Sequence, residues 1–396
     1  MKEINLTKLI HRFRNILHKF IPIPLLLALV LLPFSCRALY YNFPDITDHI
    51  HFPSRTIENS PDSIFYFTKA DKESKLGNEI FASNHFMSPN VVNLDTYLED
   101  TKSAAFVIIR NDSILYEKYN KEFSENTSFN IFSITKVFMT TLVGIAIDEG
   151  SIESIDQPMT EYLPEFSAKE GFDKITIRHL LLHTSGIKSS DSKYNSVSEN
   201  AKYYYGRNLR KLVFEAELYE EPGTSTHYES VNTQLLGLVL EKATNTTLSE
   251  YLQEKIWQKI GMQYNATWNT DYERGNPIEK CFASLNCTAI DLAKLGRLYT
   301  NNGMWNNQRI LSQQYIKDAT SRDVTGGSSL NFQYNFRPGP MPNECYYALG
   351  LYGQLIVIYP VENLIIVRIG EADLNYNPPF IKQSMIQIIE QLAVAK

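Results

Sequence analysis

Ser133-Ile134-Thr135-Lys136-Val137-Phe138-Met139-Thr140-Thr141-Leu142-Val143-Gly144-Ile145-Ala146-Ile147-Asp148-Glu149-Gly150 is the stretch on which the fold turns. After Lys136 it is nearly all apolar and it stops at Gly150, so Ser133–Glu149 is expected to be a buried helix closed by its glycine. Ser133 falls at or just before the first turn and Lys136 comes three residues on, a spacing that puts both side chains on one helix face. A serine hydroxyl is a poor nucleophile until a base takes its proton, and a lysine serves as that base where burial and a nearby cation lower its pKa. The free N–H groups and partial positive charge of a helix N-terminus also suit a developing oxyanion. The competing reading is a helix-capping serine beside a lysine that snorkels to water. The tetrapeptide alone does not separate the two. The same spacing recurs at Ser185–Lys188 and Ser190–Lys193, both in a polar, glycine-containing loop expected to be solvated. Only Ser133–Lys136 opens an apolar helix, where a buried lysine is costly unless paired or functional.

Before this helix, Ser103–Arg110 and Ser113–Tyr119 are short apolar runs around Asn111-Asp112, the pattern of a β-hairpin. Beyond it the region of about 151–305 reads as helix-rich. Val231–Thr244 and Leu248–Ile260 are expected as consecutive helices and Thr288–Asn301 as another. Gln354–Tyr359 and Leu364–Ile369 are continuous apolar runs joined by Pro360-Val361-Glu362-Asn363. Strands apolar on both faces belong to a sheet covered on both sides. Pro378–Ala395 then makes a last amphipathic helix. Strands at both ends of a helical middle suggest one α+β sheet domain with a helical insertion. Residues 38–100, polar, aromatic and punctuated by Pro44, Pro53, Pro61 and Pro89, read as a lead-in with little regular structure.

The totals allow one large catalytic domain or two medium ones. The chain has 396 residues and is 43% hydrophobic and 21% charged, which excludes a disordered tail, a collagen-like fibre and a disulfide-stapled miniprotein. Six of the 38 basic residues but only one of the 44 acidic ones lie within residues 1–37, so 32 bases face 43 acids in the rest. An acidic body of this kind repels phosphates, which argues against a nucleic-acid partner. The basic start and the apolar run Phe20–Phe34, broken by Pro22, Pro24 and Pro33, are expected to be an export signal. Cys36 is similar to a bacterial lipoprotein acceptor. The alternatives are a signal cut a little later, or an uncleaved anchor with Cys36 incidental. The expected location is the cell envelope or periplasm. Of the other cysteines, Cys281, Cys287 and Cys345, one pair could form, with Cys281–Cys287 the nearer candidate. No zinc signature occurs and the eight histidines show no ligand spacing, so no metal is called for.

Two further features bear on chemistry. Tyr228-Glu229-Ser230 lies between Glu221-Pro222-Gly223 and the helix from Val231, where a tyrosine could pass a proton to a leaving group. The plain alternative is a partly buried aromatic followed by Ser230 as a helix N-cap. Gly350-Leu351-Tyr352-Gly353-Gln354 leads directly into a buried strand. Its glycines allow close backbone approach, and an N–H there could serve as an oxyanion donor. A simple turn would look the same.

Ser-x-x-Lys early, Tyr-x-Ser in the middle and a glycine-containing strand entry late, in that order, resemble the serine β-lactamase and penicillin-binding-protein superfamily. His179-Leu180-Leu181-Leu182-His183-Thr184-Ser185-Gly186, Pro222-Gly223, Leu235-Leu236-Gly237, Thr288–Leu298 and Gly353–Val357 running to Pro360 are similar to its class C β-lactamase-like esterase branch. Tyr-x-Ser and the Gly-Gln strand look most like the 6-aminohexanoate-dimer (nylon-oligomer) hydrolase group. The resemblance spans roughly residues 100–390. It implies the β-lactamase/transpeptidase-like α+β fold over 101–396, an antiparallel sheet flanked by helices with a helical subdomain, with Ser133 as acyl-accepting nucleophile, Lys136 as its base and Tyr228 as proton relay. It also implies an oxyanion hole made by the N–H groups of Ser133 and Gln354, and it puts Ser230 where many relatives carry Asn, touching the Lys136–Tyr228 network.

Leu351, Tyr352 and Gly353 stand where penicillin-recognising relatives have Lys-Thr-Gly and many esterase-like ones His-x-Gly. The missing cation is the usual partner of a β-lactam or peptide carboxylate, which puts avid β-lactam turnover in doubt. Ester or amide hydrolysis remains open because its oxyanion donors are backbone groups. The expectation is an exported serine hydrolase acting on a small ester or amide, without metal or cofactor. Its rivals are a cell-wall peptidase for D-amino-acid peptides, favoured by a carboxylate-binding cation elsewhere in the site, and a catalytically silent, surface-anchored binding protein.

Overall fold

The computed structural model describes residues 44–70, 75–84, 90–187, 199–272, 275–321, 329, 332–339, 345–371 and 378–394. The export segment, Cys36, Lys188 and the Ser190–Lys193 pair lie outside them.

The architecture grows from the hairpin at residues 103–119. Asn111 and Asp112 both take positive φ (51° and 60°), the two-residue geometry that matches strand twist. They join β2 (Ser103–Arg110) to β3 (Ser113–Tyr119) antiparallel. With β1 (Thr68–Lys69), β4 (Arg337–Pro338), β5 (Tyr346–Leu349), β6 (Leu355–Tyr359) and β7 (Leu364–Gly370) they form a seven-stranded sheet in the order β4-β5-β6-β7-β2-β3-β1. Every pairing is antiparallel except β1 with β3, which is parallel.

The central strands are buried on both faces, which accounts for their unbroken apolar sequences. Val107, Ile109, Ile356, Ile358, Ile365 and Val367 belong to a large core shared with the helical region. Their alternates Phe106, Ile108, Leu355, Val357, Leu364 and Ile366 meet α1 (Leu94–Asp100) and α6 (Pro378–Val394) through Leu94, Tyr97, Ile381, Met385, Ile388 and Leu392. On the large-core side lie α2 (Thr135–Asp148), α3 (Ile177–Leu182), α4 (Ser230–Thr244) and α5 (Ala289–Thr300). Gly296 lets α5 close on the sheet, since a Cβ there would stand 2.8 Å from Ile365 Cγ2.

A second sheet of four short strands carries the chain into α2. Ser54–Ile57, Ala266–Asn269, Leu285–Cys287 and Phe129–Asn130 lie side by side in that order. Residues 44–100 therefore hold more regular structure than their composition suggests. Ser54–Ile57 gains order from a partner more than 200 residues away, which local patterning cannot reveal. After Asn130 the chain makes a tight 3-10 turn, Phe132–Ile134, and runs into α2, with Gly150 at φ 76° just past its end. Cys281, Cys287 and Cys345 are all buried free thiols. The Cys281–Cys287 bridge does not form, because Cys281 turns its sulfur toward Gly237 and the Thr233 carbonyl while Cys287 lies in the small sheet.

Candidate active site

The 3-10 turn holds Ser133 half-buried at the mouth of α2 while Lys136, one turn on, is 1% exposed. Phe132 is forced to φ 44°, and its N–H is held by Asn130 Oδ1 at 2.9 Å. Leu285 N–H donates to Thr135 Oγ1 at 3.2 Å, which ties the first turn of α2 to the small sheet. Lys136 Nζ lies 3.5 Å from Ser133 Oγ and 2.5 Å from the Phe282 carbonyl. It also sits 5.0 Å from the centre of the Tyr228 ring. Burial pushes the Tyr228 phenol upward, but the charges of Lys136 and Arg337, with Ser133 close by, outweigh it and leave its pKa below the usual value.

Tyr228 is positioned by the segment His183-Thr184-Ser185-Gly186. His183 ends α3 in a left-handed conformation, φ 56°, and its ring stacks on Tyr228 at 4.6 Å. Its Nδ1 accepts the Glu229 N–H at 3.1 Å, so Nε2 carries the proton and donates to Asn335 Oδ1 at 3.1 Å. Burial, with the charges of Lys136 and Arg337, lowers its pKa to about 3, so the ring is neutral. The backbone beside it pairs with the loop that ends in Tyr228: His227 N–H to the His183 carbonyl (2.8 Å), Gly223 N–H to Thr184 (2.7 Å) and Tyr219 N–H to Gly186 (2.8 Å). A Cβ on Gly186 would sit 2.0 Å from the Glu220 carbonyl, so this pairing requires glycine.

The strand entry closes the site from the other side. Leu351, Tyr352 and Gly353 form a tight turn before β6, with Tyr352 at φ 60° and Gly353 at φ 80°. The Tyr352 ring packs 5.7 Å from Phe132, next to the candidate nucleophile. Burial raises its phenol pKa to about 12. A Cβ on Gly350 would stand 3.3 Å from Ser133 N, so glycine here keeps space beside that amide. Gln354 is buried, and its own N–H makes only a long bond, 3.4 Å, to Leu351 O. Arg337 on β4 comes within 5.9 Å of the Tyr228 ring and 5.6 Å of Phe332.

The Beta-lactamase family model matches residues 93–370, from α1 to the end of β7. The chain belongs to the Beta-lactamase family. Over 308 residues it is 26% identical to the 6-aminohexanoate-dimer hydrolase of Paenarthrobacter ureafaciens, covering 72% of this chain and 76% of that one. Over 181 residues it is 29% identical to Esterase EstB of Burkholderia gladioli, 40% of this chain and 45% of the relative. In fold it is similar to a Bacillus anthracis structure provisionally named a 6-aminohexanoate-dimer hydrolase: TM-score 0.75, 24% identity, covering 87% of this chain and 91% of the other. It is also similar to a family VIII carboxylesterase: TM-score 0.58, 19% identity, 76% and 95%. This Beta-lactamase family member is thus a serine hydrolase with the β-lactamase/transpeptidase-like α+β fold.

Of the residues singled out in its sequence, Ser133, Lys136 and Tyr228 come together in one cluster, with Gly350 against Ser133 and Tyr352 against Phe132. Ser230 is buried as the first residue of α4, and Glu229, without a side-chain cap bond, occupies the N-cap position. Ser185 departs from expectation. It is fully buried, donating to Asn232 Oδ1 at 2.5 Å and accepting from Ile187 N, because its segment is packed under the Tyr228 loop. Two contributors had no assigned role in the sequence. His183 lies within a stretch that carried the family resemblance but nothing about chemistry. Arg337 follows no local pattern, and only the pairing of β4 with β5 brings it to Tyr228.

Proposed function

We propose that this protein hydrolyses a small ester or amide through an acyl-enzyme on Ser133. The observation that carries the reading is the placement of buried Lys136 Nζ 3.5 Å from Ser133 Oγ and 5.0 Å from the centre of the Tyr228 ring. Ser133 Oγ attacks the acyl carbon as its proton passes to Lys136, which takes part in this step as the free amine. The carbonyl electron pair moves onto oxygen, where the N–H groups of Ser133 and Gln354 receive it. The tetrahedral centre collapses, the bond to the leaving alkoxide or amine breaks, and that group takes a proton through Tyr228. Water then adds to the acyl carbon, gives its proton back along the same path, and Ser133 leaves with its hydroxyl restored. No step calls on a metal or cofactor. The location in the cell envelope rests on the N-terminal sequence alone.

A second reading, a peptidase for D-amino-acid peptides, is favoured by Arg337. It supplies beside Tyr228 a cation that the Leu351 position lacks, and a guanidinium suits a carboxylate. One experiment addresses both. The chain from residue 38, wild type and as Ser133→Ala, Lys136→Ala and Arg337→Gln, is treated with a fluorophosphonate probe and followed by intact mass. Turnover is measured on p-nitrophenyl esters, 6-aminohexanoate dimer and a D-alanyl-D-alanine peptide. The expected result is a single adduct and ester turnover in wild type, both lost in Ser133→Ala, with turnover lost in Lys136→Ala. Full activity of Ser133→Ala, or no adduct on folded wild type, sinks the hydrolase reading and favours a silent scaffold. Peptide turnover whose KM rises in Arg337→Gln while ester kinetics stay put selects the peptidase.

A further inference from the structure

Arg368 lies within β7 at 1% exposure, a place where a guanidinium is costly unless its donors are used. Nε donates to Ser103 Oγ at 2.9 Å and Nη2 to the Thr101 carbonyl at 2.7 Å. Nη1 reaches two successive carbonyls, Gly353 at 2.8 Å and Tyr352 at 3.2 Å. Those two residues are the ones held left-handed before β6, a conformation that costs a tyrosine about 1–2 kcal/mol. One nitrogen therefore grips both carbonyls of the strained turn.

The geometry bears on the neighbouring amide. The Gly353 carbonyl and the Gln354 N–H belong to one planar trans peptide, so they point in opposite directions. Fixing that carbonyl on Arg368 fixes the direction of the Gln354 N–H away from it. The surroundings are built for this arrangement. A Cβ on Gly370 would lie 2.0 Å from the Tyr352 carbonyl and 2.5 Å from Arg368 Nη1, so only glycine leaves the guanidinium its place. The ladder between β7 and β2 is irregular at this point, between Ile369 and Gly370. Gly370 N–H donates to Gln354 Oε1 at 2.7 Å, and Gln354 Nε2 reaches the Asn130 carbonyl, at 3.4 Å, on the strand that leads to Ser133.

We propose that Arg368 is a positioning residue of the oxyanion hole, which by holding the Gly353 carbonyl aims the Gln354 amide at the acyl oxygen. This rests on the reading of Gln354 N–H as an oxyanion donor. Arg368 touches no reacting atom. Its removal should therefore cost transition-state stabilisation and leave substrate binding in place.

Arg368→Lys keeps the charge but loses the fork, and Arg368→Met keeps the bulk and loses both. Gln354→Pro deletes the amide hydrogen itself at a φ of −56° that proline accepts. Each folded variant, assayed below its measured melting temperature, is given p-nitrophenyl butyrate and titrated with phenylboronic acid, which forms a tetrahedral adduct with the nucleophile. The expected result for both Arg368 variants is a fall in kcat of about 10- to 100-fold with KM within about threefold, and boronate affinity weakened by the same factor as kcat. Wild-type kcat and boronate affinity in folded Arg368→Lys, or a loss confined to KM or to melting temperature, overturns the proposal. Should Arg368→Met fail to fold, Arg368→Lys decides alone. Wild-type turnover in Gln354→Pro overturns the oxyanion reading instead, and with it this one.

Discussion

His183 shows how much of a site can be made by a residue that does no chemistry. Its neutral ring backs Tyr228 and receives the Glu229 amide. Protonation would remove that acceptor and add a positive charge facing Lys136 and Arg337, the two cations that hold its pKa near 3 after burial has lowered it. In the unfolded chain the same imidazole titrates near 6.5. Between those values the unfolded state binds the extra proton and the folded state does not, so stability is complete above about pH 6.5 and falls as pH drops toward 3. His183→Gln should weaken this acid slope, by an amount on the order of a few kcal/mol across the window. It should also cut kcat by loosening Tyr228. Urea midpoints from pH 7 to 4 test it, and an unchanged slope in the variant would show that His183 is not the group responsible. Legibility at this scale follows covalent distance. Ser133 and Lys136 could be read because one helix turn fixes their relation, and Tyr228 because its place in the order of motifs was informative. His183, Arg337 and Arg368 meet the site only through strand pairing and loop packing, which leave no local trace.

Helix α5 illustrates what an element conceals. Its extent was legible to within a residue at each end, because Thr288 is a strong N-cap and accepts the Asp291 N–H at 3.1 Å. Hidden in the same segment is a fully buried pair, Lys294 Nζ to Asp291 Oδ1 at 3.0 Å. Asp291 also accepts the Gln263 and Tyr264 amides, and Lys294 reaches the Gly261 carbonyl. Burial lowers the lysine's pKa against the pull of the carboxylate. Asp291→Ala leaves a buried ammonium without its counter-charge and two amides without an acceptor, so it should cost about 3–5 kcal/mol. Adding Lys294→Met should recover part of that loss but not all, since the two amides stay unsatisfied. A double-mutant cycle in urea measures this, and strict additivity of the two changes would mean that the pair is not coupled. The neighbouring segment Leu248–Ile260 was legible only in part. It is α-helical through Leu252, then widens into a π-helical turn at Gln253–Trp257, with Gln258 N–H bonded to the Gln253 carbonyl. Ile256 and Trp257 are both fully buried there. The demands of the core override the regular period that sequence reading assumes.

At the scale of the molecule, the two-sided sheet was legible because its central strands are apolar throughout, and the role of residues 44–100 was not. That segment binds to the body piece by piece. The Ile46 carbonyl accepts the Asn130 N–H, Ser54–Ile57 extends the small sheet, and α1 fills the core beneath the large one. Phe81 and Ser83 have their backbone groups met by Gln391 and Gln387 of α6. Each attachment is to chain far away in sequence, so composition reads as loop while the fold uses it as framework. Ile46, Phe52 and Ile57 are all buried, and burying such side chains contributes about 1.5–3 kcal/mol each, a large share of a typical folding free energy of about 5–15 kcal/mol. More than stability depends on it, because the strand that Ile46 and the small sheet support is Phe129–Asn130, which sets the turn bearing Ser133. A chain beginning at residue 59 should therefore melt far below one beginning at residue 38. Any fraction still folded should label more slowly with the fluorophosphonate probe at Ser133. If the shorter chain instead matched the longer one in melting temperature and labelling rate, residues 44–58 would be an ornament on a catalytic domain complete without them.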